Sequence, residues 1–214
     1  MAAPDETLRL YMHVPRTRTL GPGVRYAIWV QGCPFRCPGC LTPDALSSEG
    51  GHPVPLEALA EDILATDGIE GLTLSGGEPF AQAAPLAALI RLLRAHRDLG
   101  VIVYSGFRLE ALRRKAAQSF NAGIAALLRE TDLLIDGLYV AALDDGRSLR
   151  GSANQRIHPL TDRYRAALDQ YGQPRRAVEM HLVEDTLKMV GVPGPEMRAR
   201  WQTGFYGSTN PSTG

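Results

Sequence analysis

Short apolar segments alternate with stretches of helical periodicity through most of this chain, and that alternation limits the fold more than any other feature. The segments rich in apolar and β-branched residues predict buried strands at residues 26–32, in the first part of 71–80, at 101–106 and at 132–137. Between them, apolar residues recur at helical spacing over residues 55–64, 85–93, 109–118 and 124–129. Strands that alternate with helices imply right-handed crossovers and a parallel sheet buried on both faces, so we predict an α/β fold.

The chain length narrows this prediction to an incomplete barrel. A full eight-unit barrel needs about 250 residues, and this chain has 214. We therefore expect a partial (βα)6-type open TIM barrel with roughly six strands and a lateral opening. Residues 162–172 predict a further helix, and residues 177–193 predict a C-terminal β-hairpin that turns at Glu184 and Asp185. We expect a single domain over residues 1–200 and a disordered tail over 201–214.

The charge balance excludes several classes of partner. Lysine plus arginine number 23, as do aspartate plus glutamate, so no overall positive field draws the chain to nucleic acid or an acidic membrane. No apolar run approaches the roughly 20 residues of a membrane span, and the start of the chain lacks the pattern of a secretion signal. We expect a cytoplasmic protein with no nucleic-acid or membrane partner and with its cysteines reduced.

All three cysteines lie in the stretch QGCPFRCPGC, as Cys33, Cys37 and Cys40. Structural zinc takes four ligands, commonly from two separated cysteine pairs, so zinc here would need a ligand from elsewhere in the chain. A four-iron cluster is normally held by four thiolates, and three protein thiolates leave one iron open to another ligand. The spacing therefore favours an iron-sulfur cluster with an open coordination position.

The CxxxCxxC spacing resembles the signature loop of the radical S-adenosylmethionine (SAM) enzymes. The resemblance implies a [4Fe-4S] cluster and SAM as cofactors, with the open iron chelated by the amino and carboxylate groups of SAM, and a partial barrel of the radical SAM kind. It also implies that the reduced cluster cleaves SAM to a 5′-deoxyadenosyl radical that removes a hydrogen atom from a substrate. Many members have an aromatic residue before the last cysteine, whereas this chain has Gly39, as do the activating proteins of anaerobic ribonucleotide reductase.

The stretch SGGEP, residues 75–79, lies at the predicted carboxyl end of the next strand, where α/β folds place their ligand sites. Adjacent glycines let the backbone approach a ligand closely, and a carboxylate can accept a bond from an ammonium group. Taken alone, such a stretch is more often a plain turn. It is similar to the GGEP motif of the same family, which implies that SAM is bound by Gly76, Gly77, Glu78 and Pro79.

Three further segments, residues 21–40, 132–137 and 149–157, resemble the activating proteins, so that the resemblance covers roughly residues 7–192. It implies that Ser105 and Asp136, which close two neighbouring strands, face SAM or a cation beside it. The alternative for Asp136 is that it caps a helix or bonds a turn. Arg150, Asn154 and Gln155 can donate to ribose, carboxylate or a partner backbone, and a buried hydrogen-bond network explains them equally well.

Four arginines flank the cysteines in sequence: Arg16, Arg18, Arg25 and Arg36. A positive rim near the cluster could steer an acidic flavodoxin or ferredoxin, as the electron donor, toward the iron. The alternative is a solvated surface without a partner, because charge alone specifies none.

The resemblance implies that the substrate is a glycine of a partner glycyl-radical enzyme, such as anaerobic ribonucleotide reductase. The alternative is a radical SAM biosynthetic enzyme that acts directly on a small molecule or peptide. Leu41 and Thr42 keep that alternative open, because the activating proteins usually carry His-Asn at these positions. A ferredoxin or a zinc interaction module is disfavoured by the spacing of SGGEP from the cysteines.

Overall fold

The fold is a mixed α/β arrangement built on one large sheet. The computed structural model describes residues 6–168, 176–183, 185–201 and 203–204. The strands in these ranges are β1 (Thr7–Thr17), β2 (Arg25–Val30), β3 (His52–Pro55), β4 (Gly71–Gly76), β5 (Gly100–Ser105), β6 (Leu133–Asp136), β7 (Arg156–Pro159), β8 (Val178–Val183) and β9 (Thr186–Gly191). The helices are α1 (Leu56–Ala65), α2 (Ala83–Arg94), α3 (Leu109–Ala116), α4 (Ala122–Glu130) and α5 (Pro195–Trp201).

The centre of the large sheet is parallel, as the alternation of strands and helices predicts. The strand order is β3-β1-β2-β4-β5-β6-β7, and β2, β4, β5 and β6 run parallel to one another. Val30 of β2 lies opposite Gly76 of β4, and Ser105 of β5 lies opposite Asp136 of β6. The register therefore brings the carboxyl ends of these strands, and the loops that follow them, to one edge of the sheet.

The edges of this sheet are antiparallel, which differs from the expected all-parallel arrangement. Strand β1 pairs antiparallel with β2 and β3, and β7 pairs antiparallel with β6. An antiparallel neighbour needs no helical crossover, and the short segment 18–24 joins β1 to β2 without a helix. Alternate residues of β1 are buried, from Leu8 to Val14, so its period of two was a strand signal that the sequence reading missed.

Helices α1 to α4 pack against one face of the sheet. The main apolar core joins residues of these helices to strand residues such as Tyr26, Ile28 and Leu74. On the opposite face, Ala27 and Trp29 pack with Leu20 and with Val190 of the C-terminal hairpin. The central strands are thus buried on both faces, as predicted.

The C-terminal third contains one confirmed prediction and one that is only partly described. Strands β8 and β9 form the expected antiparallel hairpin, with Asp185 in its turn, while Glu184 lies outside the described residues. Of the helix predicted over 162–172, the first residues form a turn, Arg165–Ala167 form a short 3-10 helix, Leu168 is helical, and residues 169–172 lie outside the described part. Tyr164 is buried against Ile102 and Leu133, which holds this segment against the sheet.

The predicted tail lies mostly outside the described residues, at positions 202 and 205–214. Trp201, which the sequence reading placed in the tail, is the last residue of α5 and is buried. Among the described residues, no helix has the length and apolar character needed to cross a membrane.

Arg25 does not belong to a positive rim around the cysteines. It is fully buried at the start of β2 and donates to the carbonyl oxygens of Leu72 and Gly100 and to the Tyr164 hydroxyl. Thr17, between Arg16 and Arg18, lies opposite Arg25 in the sheet, so these three arginines lie at the end opposite Cys33. The predicted four-arginine rim is therefore wrong for Arg16, Arg18 and Arg25, because the length of β2 (Arg25–Val30) separates them from the cysteine loop, and only Arg36 of the four lies within that loop.

Replacing Arg25 tests its structural role. Arg25→Ala leaves two carbonyl oxygens and a hydroxyl without their donor inside the core, so we expect a loss of about 3–5 kcal/mol in the free energy of unfolding. The control Arg36→Ala removes an exposed arginine of the cysteine loop, and we expect a change of at most about 0.5 kcal/mol. Urea unfolding followed by circular dichroism measures both, and equal small losses would contradict the assignment.

Candidate cofactor site

The three cysteines lie on the loop that follows β2, and each is partly buried. The amide of Cys40 donates to the carbonyl oxygen of Cys37 at 3.1 Å, and the amide of Cys33 donates to that of Leu46 at 3.0 Å. Gly39 has φ +75°, a region that favours glycine. The glycine before the last cysteine therefore matches the backbone conformation of the loop.

A second loop, after β4, lies directly against the cysteine loop. The amide of Gly77 donates to the Val30 carbonyl oxygen at 2.7 Å, and the amide of Glu78 donates to that of Gly32 at 2.8 Å. A Cβ atom at Gly77 would overlap the Gly32 carbonyl oxygen, so only glycine allows this approach. The Thr42 hydroxyl adds a bond to the Gly76 carbonyl oxygen at 3.3 Å.

These two loops and the end of β5 surround one pocket. Of the residues predicted to bind the cofactors, the pocket wall includes Cys33, Cys37, Cys40, Gly76, Gly77, Glu78 and Ser105, and it does not include Pro79 or Asp136. Pro79 is buried and begins a short 3-10 helix behind the glycine loop. The structure thus brings together residues that are up to 72 positions apart, from Cys33 to Ser105.

The Glu78 carboxylate is almost completely buried and bonded to three protein donors. It accepts from the amide of Phe80 at 3.0 Å, the Ser105 hydroxyl at 2.9 Å and the amide of Gly106 at 2.8 Å. Burial raises the pKa of Glu78 to about 7, although these three donors oppose the shift. Glu78 therefore ties the β4 loop to the end of β5 and changes charge near neutral pH.

The Asp136 carboxylate has charged partners instead. It accepts from the first amide of α3, at Leu109, at 2.7 Å, and it pairs with Arg156 at 2.7 Å and with His158 at 3.0 Å. Burial would raise the pKa of Asp136, but the Arg156 hydrogen bond and the other donors hold it at about 2. This geometry matches the helix-capping alternative.

Arg150, Asn154 and Gln155 also form a network with their own chain. The Asn154 amide donates to the Leu138 carbonyl oxygen and the Gln155 amide to that of Gly137, both at 2.8 Å. Arg150 pairs with Asp145 and donates to the Gln155 carbonyl oxygen. These contacts hold the loop after β6 in place, and Gln155 also reaches the pocket wall.

The cysteine thiols are close enough to influence one another. Burial raises the pKa of Cys33 to about 11, and Glu78 and the other two cysteines raise it further, whereas a backbone bond lowers it. Burial also raises the pKa of Cys37, with Cys40 as the next cause. Thiols of this kind ionise when they bind a positively charged metal centre.

In the part of the chain that the structure describes, no three His, Cys, Asp or Glu side chains converge closely enough to hold one metal ion. A single zinc ion draws its thiolates to about 2.3 Å from one point, and that arrangement is absent from the described residues. In a four-iron cluster each thiolate binds a different iron, so the thiolates stand farther apart. The three thiols line one pocket, where each could bind a different iron of a four-iron cluster.

Comparison with known proteins supports the same assignment. A family model described as a 4Fe-4S single cluster domain matches residues 19–158. The anaerobic ribonucleoside-triphosphate reductase-activating protein of Salmonella typhi is 31% identical over 163 residues, which cover 72% of this chain and 99% of that protein. This chain belongs to the activating-protein family. The corresponding protein of Enterobacteria phage T4 is 27% identical over 66% of this chain and 88% of its own length.

Another relative is an activating enzyme that is named for a different partner enzyme. The pyruvate formate-lyase-activating enzyme of Staphylococcus epidermidis is 29% identical over 148 residues, which cover 65% of this chain and 55% of that enzyme. In this chain, the segment that matches the family model, residues 19–158, contains all three cysteines and the glycine loop.

Other parts of the pocket wall were missed by the sequence reading. Tyr139 lies on the loop after β6, and Arg198 and Trp201 lie on α5. No local motif marks Tyr139, and the stretch around Trp201 reads as a tail because its packing partners are distant in sequence. The available signal was Trp201 itself, because tryptophan side chains are on average highly buried.

The raised pKa of Glu78 predicts a pH-dependent stability. Its folded pKa of about 7 exceeds the ordinary 4.5, so its contribution is fully present below pH 4.5 and is lost as the pH rises through 7. Relative to Glu78→Gln, the wild type should lose about 2–3 kcal/mol of unfolding free energy between pH 5 and pH 8. Urea unfolding of the reduced protein across this range measures the difference.

The exposed Glu57 of α1 supplies the control. Glu57→Gln should keep the wild-type pH profile, because its side chain is in solvent. A constant difference between wild type and Glu78→Gln at every pH would mean that Glu78 does not titrate in this range.

Proposed function

We propose that this chain is a radical SAM activating enzyme that generates a glycyl radical in a partner enzyme. The observation that carries the proposal is the single pocket in which three thiols face the glycine loop after β4. Three thiolates supply one ligand fewer than a four-iron cluster takes. The free coordination position and the adjacent glycine loop suit a small ligand that bonds to both.

Cys33, Cys37 and Cys40 would hold a [4Fe-4S] cluster, and the loop with Gly76 and Gly77 would bind SAM beside it. When bound, the reduced cluster and SAM together supply one electron and a cleavable carbon–sulfur bond, which gives methionine and a 5′-deoxyadenosyl radical. The protein orients that bond and excludes water from the pocket. A carboxylate offers about four acceptor positions, so Glu78, with three donors, can still accept from the SAM ammonium group.

The remaining predicted residues have supporting roles in this proposal. Pro79 begins the 3-10 helix that fixes the glycine loop, and Ser105 lies in the pocket wall with its hydroxyl bonded to Glu78. Asp136 is occupied by Arg156, His158 and the start of α3. We propose that Asp136 positions the end of β6 and the loop after it, without contacting SAM.

We also propose that the sheet is the partial (βα)6-type TIM barrel of radical SAM enzymes, in a single domain. Helices on one face, and a site at the carboxyl ends of parallel strands, support this interpretation. The substrate would enter at the edge of the sheet where the carboxyl ends of the parallel strands line the pocket.

The partner we propose is a glycyl-radical enzyme of the anaerobic ribonucleotide reductase type, by analogy with the relatives. Glycine has no side chain, so its Cα can approach the radical closely. We expect a flavodoxin or ferredoxin as electron donor and no nucleic-acid partner, in the cytoplasm, where thiols stay reduced. Of the four flanking arginines, Arg36 lies within the cysteine loop and is exposed, so it is the one positioned to meet a donor.

Loss of one cysteine should abolish SAM cleavage. Cys37→Ala removes a cluster ligand, so the anaerobically reconstituted variant should form no 5′-deoxyadenosine above background with dithionite and SAM. The neighbouring Arg36→Ala should retain both the cluster and the product, because dithionite needs no docking site. Liquid chromatography quantifies the product, and undiminished formation by Cys37→Ala would remove the cluster mechanism.

The glycyl radical itself distinguishes the partner from a small substrate. Incubation of the reduced enzyme and SAM with an anaerobic ribonucleotide reductase should produce the doublet of a glycyl radical in electron paramagnetic resonance. A reductase in which the acceptor glycine is replaced by alanine is the control and should give no signal. Turnover of a small molecule or peptide, with no doublet in any glycyl-radical enzyme, would favour the biosynthetic alternative.

A further inference from the structure

The C-terminal part of the chain closes one side of the cofactor pocket. The segment that forms this wall follows residue 158, where the match to the family model ends. It comprises five pocket-lining residues from β9, the segment after it and α5: Met189, Gly191, Val192, Arg198 and Trp201.

One buried carboxylate near this wall is already neutralised. Asp144 pairs with Arg176 at 2.7 and 2.9 Å, and both side chains are less than a tenth exposed. Arg176 also donates to the carbonyl oxygens of Arg150, Gly151 and Pro193. Arg176 and Asp144 therefore form a balanced pair that joins the loop after β6 to the C-terminal segment.

Arg198 is a second buried cation, and among the described residues no carboxylate lies within hydrogen-bond distance of it. Its side chain is 8% exposed, and its nearest carboxylate is the same Asp144, at the longer distance of 4.0 Å. Its guanidinium carbon lies 4.1 Å from the centre of the Tyr139 ring, and its Nε has no hydrogen-bond partner among the described residues. Two buried guanidinium groups thus share one carboxylate.

A buried charge is unfavourable unless an opposite charge accompanies it. Burial lowers the pKa of Arg198, and the group that opposes this shift is the Cys40 thiolate. The missing negative charge is therefore expected on the pocket side, next to the cysteine loop. A [4Fe-4S] core with three thiolates is anionic, and its reduction adds another negative charge; SAM brings a carboxylate.

We propose that Arg198 binds an anion of the cofactor site, either the thiolate-ligated cluster or the SAM carboxylate, and thereby makes α5 part of that site. The inference rests on the proposed function, because both anions are cofactors. It assigns α5 a role in holding the cofactors, and it predicts that this role depends on the charge at position 198.

Two measurements on anaerobically reconstituted protein test the proposal and separate the two anions. The midpoint potential of the cluster without SAM is obtained by redox titration, and the dissociation constant of SAM for the oxidised protein by isothermal titration calorimetry. If the cluster is the anion, Arg198→Gln should destabilise its reduced form about tenfold, which is about 59 mV for one electron. If the SAM carboxylate is the anion, the variant should bind SAM at least about tenfold more weakly at an unchanged potential.

Three further variants make the result specific. Arg200→Gln removes an exposed arginine from the same helix and should leave both quantities within twofold of the wild type. Arg198→Lys keeps the charge but loses the planar group that stacks on Tyr139, so its effect should be smaller than that of Arg198→Gln. If Arg198→Gln does not fold, Arg198→Met removes the charge with a side chain that suits a buried position.

The outcomes are distinct. Unchanged potential and SAM affinity in a folded, cluster-loaded neutral variant would overturn the proposal, and so would equal effects from Arg200→Gln. A loss in Arg198→Lys as large as that in Arg198→Gln would also overturn it, because charge would then not be the determinant. A wild type that takes up no cluster and binds no SAM would refute the proposed function, and this inference would be refuted with it.

Discussion

The cofactor pocket depends on the close backbone contact between the ends of β2 and β4. Two amides of the β4 loop, at Gly77 and Glu78, donate to the carbonyl oxygens of Val30 and Gly32. The contact is so close that no Cβ fits at Gly77. This contact alone, without a cofactor, holds the cysteine loop against the glycine loop, because Cys33 directly follows Gly32. The parallel register of the two strands makes this contact possible, since it places both carboxyl ends at one edge.

Two buried carboxylates extend this arrangement across the sheet in different electrostatic states. Glu78 is bonded by neutral donors at the end of β5, and its pKa lies near 7. Asp136 meets Arg156 and the start of α3, and its pKa stays at about 2. A neutral donor offsets only part of the cost of burying a charge, whereas an arginine offsets much more of it. Asp136 therefore stays ionised and holds the scaffold, while Glu78 can respond to a charge that enters the pocket.

The local features of the site could be predicted from the sequence, and the long-range ones could not. Two features are local in sequence and were therefore predictable: the spacing of Cys33, Cys37 and Cys40, and the position of the glycine loop directly after a strand. Two of the partners of Asp136, Arg156 and His158, lie on β7, an antiparallel strand of four residues. The alternation of strands and helices in the sequence did not predict this strand. Arg25 was misplaced for a related reason. It is eight positions from Cys33 in sequence, but an extended strand of six residues spans roughly 20 Å.

Arg25 and Arg198, both buried, show how a structural cation can be distinguished from a binding one. All three nitrogens of Arg25 donate to protein oxygens of the core, so its hydrogen-bonding capacity is used by the fold. Arg198 is also buried, yet its nearest carboxylate, Asp144, is paired with Arg176, and its other close neighbour is an aromatic ring. Folding alone gives no reason to bury a cation in this way. Negative charge in the pocket beside Arg198 would supply that reason. The three cysteine thiols line the same pocket, where they can hold an anionic cluster.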